Sequence, residues 1–148
     1  MEDKGLEKLH VWQKTHELAL LICKEILIKF PEEERYALSQ QLRWSAQSVP
    51  ANIAEGYGRY AFQDSIRFLY NARGSLEEVF SQLCLARDLG YPPQDRILEG
   101  IVLYKNVVRL LNGYIEYLKR TRDREEETEI REIKGARDYD TTAIYTEA

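Results

Sequence analysis

Residues 48–59, Ser48-Val49-Pro50-Ala51-Asn52-Ile53-Ala54-Glu55-Gly56-Tyr57-Gly58-Arg59, decide the fold of this chain, and they allow two readings. Proline and paired glycines suggest a loop able to cradle a phosphate. The apolar residues disagree: Leu38, Leu42, Ala46, Val49 and Ile53 recur at steps of four, four, three and four, straight through Pro50. A loop has no reason to hold that phase. The stretch is therefore expected to form the second half of a helix, bent at Pro50 rather than broken. Proline removes the N–H that would bond the carbonyl of Ala46, at about 3 kcal/mol in an isolated helix. Water, local relaxation or a neighbouring hydroxyl such as Ser45 is expected to satisfy that carbonyl. Gly56 and Gly58 are then expected to supply left-handed stopping positions. The third glycine of a dinucleotide fingerprint, a preceding strand and a Gly-Lys-Ser/Thr sequence are all missing, which disfavours a phosphate loop.

Three further helical segments surround this one. Trp12, Ala19, Ile22, Ile26 and Phe30, widened by Leu18 and Leu21, predict a first helix from about Leu9 to Phe30. Pro31 followed by Glu32, Glu33 and Glu34 reads as the next helix start, with acids in its first turn. Leu69, Leu76 and Leu83, with Ala72, Val79 and Ala86 beside them, predict a third helix from about Phe62 to Leu89. Gly74 lies mid-helix, where a close crossing would explain it. The fourth helix carries two apolar rows. Ile97, Ile101, Tyr104, Val108, Leu111, Ile115 and Leu118 are assigned to the bundle core. Leu103, Val107, Leu110, Tyr114 and Tyr117 are assigned to a contact with another copy of the chain, the alternative being a fourth helix unusually buried within its own bundle. Short connections between four long helices give an all-α, up-down-up-down antiparallel four-helix bundle over residues 1–122.

The net charge of −4 is unevenly placed. Residues 1–122 carry 17 Lys/Arg against 16 Asp/Glu, whereas residues 123–148 carry 4 against 9. The acidity belongs to the tail, which is expected to be disordered, with docking of Ile144 and Tyr145 on a partner as the alternative. No apolar run is long enough to span a membrane, and MEDKGLEKLH lacks a signal core, so a cytoplasmic location is expected.

The chemistry-bearing residues are sparse. Glu7-x-x-His10 has no counterpart on another helix, and His10 and His16 point to different sides of theirs, so no metal site is expected. Cys23 and Cys84 read as two reduced, buried thiols with no base beside them. No catalytic residue, cofactor or small-molecule substrate is assigned. The arginines carry more. Arg35, Arg43, Arg59, Arg67 and Arg73 belong to helices 2 and 3 or to the turn between them, which also holds Tyr57, Tyr60 and Phe62. Basic groups mixed with aromatics can grip phosphates and stack bases. The competing reading is ordinary ion pairing, such as Glu55 with Arg59 at i,i+4.

Val11 to Leu18 (VWQKTHEL), Phe30-Pro31, SVPANIAEGYGR, Arg67-Phe68-Leu69 with Ala72, Gly74 and Ser75, and Leu89-Gly90-Tyr91 together resemble the bacterial four-helix-bundle proteins encoded in 23S rRNA intervening sequences. The resemblance spans about Leu9 to Lys119. It implies a homopentamer and a ribosomal-RNA connection that comes from gene location, and the family has no established biochemical activity. Its defining positions fall on Pro50, Asn52, Ile53, Ala54, Glu55, Gly56, Gly58 and Arg59, with Arg43, Arg67, Phe68 and Gly74 around them. Two positions depart: Trp44 stands where the family often has a second arginine, and Ala61 where it often has a capping serine or threonine. The resulting expectation is a non-enzymatic, ribosome-associated homo-oligomer binding ribosomal RNA or another structured nucleic acid through Arg43, Arg59, Arg67 and Arg73. The alternative is a protein-interaction scaffold that binds no nucleic acid.

Overall fold

The computed structural model describes residues 5–146, with side chains described to residue 136. Four α-helices, α1 (His10–Leu21), α2 (Leu38–Tyr57), α3 (Phe62–Asp88) and α4 (Gln94–Thr146), form an antiparallel bundle, and the described residues include no strand. Each helix packs on its chain neighbour, and α1 closes on α4. This is the expected up-down-up-down topology. Ile22, Ile26, Leu42, Ile53, Leu76, Leu83, Ile97 and Leu111 have essentially no exposed surface and fill the centre.

Helix α2 runs unbroken through Pro50, with Leu38, Leu42, Ala46, Val49 and Ile53 all buried. Packing on both sides of the proline offsets the lost hydrogen bond. The Ser45 hydroxyl does not serve the Ala46 carbonyl. It lies 3.0 Å from the Gln41 carbonyl and 2.7 Å from Oε1 of Gln82 on α3. Below it, Asn52 donates through Nδ2 to the Ser48 carbonyl (2.9 Å) and to Ser48 Oγ (3.0 Å), and Ser48 Oγ meets Ser75 Oγ at 2.8 Å. The motif's polar residues thus stitch α2 to α3.

The glycines differ most from expectation. Gly58 has φ −78, Gly56 is helical, and among the described residues only Gly90 (φ 73) is left-handed. Gly56 is needed for closeness instead: a Cβ there would lie 2.9 Å from the Ser65 carbonyl oxygen and 3.2 Å from Phe68 Cβ. Gly90 does end α3, with the Tyr91 N–H donating to the Ala86 carbonyl (3.0 Å) and the Gly90 N–H to Arg87 (3.0 Å). Gly74 has nothing within 4 Å of a built Cβ, so the expected close crossing is absent.

Three segment boundaries also move. The first helix becomes a π-turn over Ile22–Ile26 and a 3-10 turn over Leu27–Lys29. One extra residue in that turn shifts the phase between the positions before it and those after it: Val11 and Thr15 are buried and Trp12 and Ala19 half-buried, while Ile22 and Ile26 stay in the core. The acids after Pro31 form only a 3-10 turn, Glu32–Glu34. Glu34 Oε2 accepts from the Leu38 N–H (3.2 Å) and so caps α2, while its Oε1 accepts from the Tyr91 hydroxyl (2.8 Å). Beyond Asp123 the expected disorder is replaced by helix, because α4 continues to Thr146. The run is rich in good helix formers, Glu, Arg and Lys. The side chains of Ile144 and Tyr145 lie outside the described residues.

Opposite effects are expected at the two helical glycines. Gly56→Ala, whose new carbon meets backbone, destabilises by about 1–3 kcal/mol. Gly74→Ala, in open space, stabilises by up to about 1 kcal/mol. Urea midpoints that move in the same direction would contradict this assignment.

Candidate nucleic-acid interface

The close crossing at Gly56 brings the end of α2 against the first turns of α3. Ser65, at that contact, holds the corner by donating from Oγ to the Ala61 carbonyl (3.3 Å) and lying 3.5 Å from the Arg59 carbonyl. Ala61 starts α3 without a side-chain cap, as the sequence implies. Phe68 is the platform of the corner. The guanidinium carbons of Arg59 and Arg67 lie 4.9 and 5.1 Å from its ring centroid. Both arginines have acidic neighbours, Arg59 pairing with Glu55 and Arg67 standing 4.0 Å from Asp64. All four of these side chains are at least 44% exposed, so the pairs are worth little and yield readily to a competing anion. Tyr60 projects fully into solvent beside them.

Arg43 and Arg73 do not join this corner. Arg73 belongs to the α3–α4 seam, 4.7 Å over the Tyr70 ring and donating to Asn112 Oδ1 at 3.2 Å. Arg43 lies on α2 sixteen positions before Arg59, about 24 Å along the helix. There it lines a groove of about 550 Å³ together with Ile28, Glu32, Arg35, Tyr36 and Trp44. Four arginines adjacent in chain order therefore occupy three places. Two cations from α4 that sequence reasoning did not assign lie against α3, Arg122 at its first turn and Lys119 on the Tyr70 ring that Arg73 also covers. Arg122 Nη1 donates to Gln63 Oε1 (3.0 Å), and Lys119 lies 5.2 Å over the Tyr70 ring. Their signal was the basic run at the end of the apolar stripe of α4.

The second apolar row of α4 is only partly available to a partner. Val107 is completely buried within its own bundle, and Val108, assigned to the core, is half-buried. A one-position shift in the helix's facing exchanges them. Leu103, Leu110 and Tyr114 are half-buried and Tyr117 is exposed. Burial pushes the Tyr114 hydroxyl above its ordinary range, with Tyr57 and Tyr117 adding to the effect.

Cys23 and Cys84 are free and half-buried rather than buried. His16 stacks on Trp12 with centroids 4.8 Å apart, and no group of three His, Cys, Asp or Glu side chains among the described residues could hold a metal. No helix among the described residues is long and apolar enough to cross a membrane.

The model of the 23S rRNA-intervening sequence protein family matches residues 7–113. The chain belongs to that family. A crystal structure of a protein of unknown function from the S23 ribosomal protein family, from Bacteroides thetaiotaomicron VPI-5482, has the same fold with a TM-score of 0.64. It is 24% identical and covers 71% of this chain, while 97% of its own length is covered. No curated protein matches the chain. The family match ends within α4, well before the acidic extension begins.

The seam that holds Arg73 also sets a pH dependence. Tyr104 stacks on Phe80 (4.5 Å) and donates to Glu77 Oε1 (2.7 Å). Burial, then the Glu77 carboxylate, pushes its hydroxyl up to about 12. Its contribution to stability is therefore complete below the ordinary value of 10.0 and is lost as pH rises through about 12. Tyr104→Phe should remove this share of the alkaline loss and cost about 1 kcal/mol at neutral pH. Urea denaturation at a series of pH values, with tyrosinate absorbance, checks both.

Proposed function

We propose that this chain is a non-enzymatic, homo-oligomeric bundle protein that binds structured RNA through Arg59 and Arg67 at the α2–α3 corner. The observation that carries the reading is the pair of exposed guanidinium groups stacked on one phenylalanine, Phe68. The ring orders both groups, so less side-chain entropy is lost when a phosphate arrives. Tyr60, fully exposed at the same corner, offers a face on which an unpaired base can stack. Arg122 and Lys119 extend the basic surface onto α4. Ribosomal RNA is the first ligand to test, given the family and the ribosomal-protein family named for the structural neighbour.

The assembly is a homopentamer, as the family resemblance implies, and Leu103, Leu110, Tyr114 and Tyr117 on α4 supply its apolar contact. A ring multiplies a two-arginine patch by its number of copies, which turns a weak contact into useful affinity. A protein-interaction scaffold is the second reading, favoured by the exposed Tyr36 and Trp44 beside Arg43.

Filter binding with ribosomal RNA fragments at about 50 mM salt should give measurable affinity that falls steeply by about 200 mM. Arg59→Ala with Arg67→Ala should weaken it about tenfold or more and reduce the log–log salt slope by about 2 for each engaged subunit. Affinity indifferent to the double substitution would remove the corner as the site. Light scattering tests the oligomer separately, since a mass of 17.4 kDa would leave the exposed α4 row without its partner.

A further inference from the structure

The stripe that α4 buries does not end where the bundle ends. Ile115 and Leu118 face the core, and steps of four and three carry the same face through Arg122, Glu126 and Glu129 to Ile133, with Ile130 beside it. Among the described residues the Arg122–Gln63 hydrogen bond (3.0 Å) is the last from α4 to another helix, at the end that holds the α2–α3 turn. From Asp123 to Thr146 the helix extends about 36 Å farther. Ile130 and Ile133 are 52% and 49% exposed, three positions apart on one face. Residues 123–136 carry six acids against three bases. Only Glu127 and Arg131 make an attractive i,i+4 spacing there, while Asp123–Glu127 and Glu125–Glu129 repel. Propensity and continuity with α4 carry this helix while internal pairing adds little, and a partner surface covering its apolar face would add stability.

A surface of matching chemistry lies at the opposite end of the bundle. That end is marked by the Tyr91–Glu34 hydrogen bond and by Phe30 against Tyr91, with ring centroids 5.5 Å apart. The groove there exposes Ile28, Tyr36 and Trp44. Arg43 stands at its edge with no hydrogen bond or ion pair to a described residue, and Arg35 has only an exposed pairing with Glu32 at 3.6 Å. Aromatic residues with arginine are the composition of interface centres.

We propose that the helical arm of one copy docks in the Arg43–Trp44 groove of a second copy. Ile130 and Ile133 pack on Ile28, Tyr36 and Trp44, while Glu126 and Glu129 face Arg43 and Arg35. A chain's own arm points away from its own groove, so the contact runs head to tail. Such a contact repeats from copy to copy and closes into a ring when the rotation allows. The inference rests on the oligomeric reading above and adds a second contact to it.

Light scattering on full-length chains tests it. A groove variant (Arg43→Glu with Trp44→Ser) and an arm variant (Ile130→Asp with Ile133→Asp) change only exposed positions, and circular dichroism confirms that each is folded. Association should weaken about tenfold or more in each variant alone. An equimolar mixture should recover mass, because one intact arm then meets one intact groove. A chain with Arg35→Glu and Arg43→Glu should lose association, and adding Glu126→Lys and Glu129→Lys to it should restore association by reversing the charges on both sides. If the variants keep the mass of the unsubstituted chain, or the mixture gains none, the arm contact is wrong and the α4-row oligomer stands. If the unsubstituted chain itself scatters at 17.4 kDa, both fall.

Discussion

A β-carbon at position 56 would sit 2.9 Å from the Ser65 carbonyl oxygen, inside the distance any real side chain tolerates. Its absence lets α2 and α3 cross closely, and much else depends on that crossing. It draws Ser45 to Gln82 and Ser48 to Ser75, so the seam is polar as well as apolar. The seam in turn fixes α2 on both sides of Pro50, which is how a helix with a missing hydrogen bond stays continuous. It also sets Phe68 between the end of one helix and the start of the next. Arg59 and Arg67 share that ring only because two backbones come so near.

The corner's chemistry follows from exposure. An ion pair such as Arg59–Glu55, with both partners about half open to water, contributes well under its Coulomb energy and gives way to a multivalent anion at small cost. Pairing with Glu55 therefore does not preclude contact with a phosphate, and the sequence's two readings of Arg59 are compatible. The acidic arm leaves the bundle beside this corner, where Arg122 ties α4 to Gln63.

Much of the fold was legible because helical phase is a one-dimensional property. Leu38 to Ile53 kept step across Pro50, and the Leu69, Leu76 and Leu83 row came out fully buried as its spacing required. The errors occurred where a second helix or a change of pitch intervened. Gly56 looks like a stop signal in the chain and acts as a gap for a neighbouring backbone. Val107 and Val108 exchange roles because two adjacent rows differ by one position, and only the angle at which α4 meets α1 and α3 selects between them. The π-turn at Ile22–Ile26 likewise leaves no mark in composition. Of the candidate site, Arg59 and Arg67 were placed together correctly. Arg43 and Arg73 were grouped with them because proximity in chain order was mistaken for proximity on a surface, although a helix separates positions by 1.5 Å per residue.

The sequence by itself determined the four helices, their order, the continuity at Pro50 and the concentration of acid after residue 122. These depend on local spacing and local charge, which are written in the chain. The tertiary structure alone decided that Gly56 serves a crossing, that Phe68 is shared by two arginines, and that the acidic run continues α4 away from the bundle. It also placed the Arg43–Trp44 groove at the opposite end from that run. Each of these is a relation between segments distant in sequence, set by how closely and at what angle the helices pack, and no periodicity within one segment encodes it.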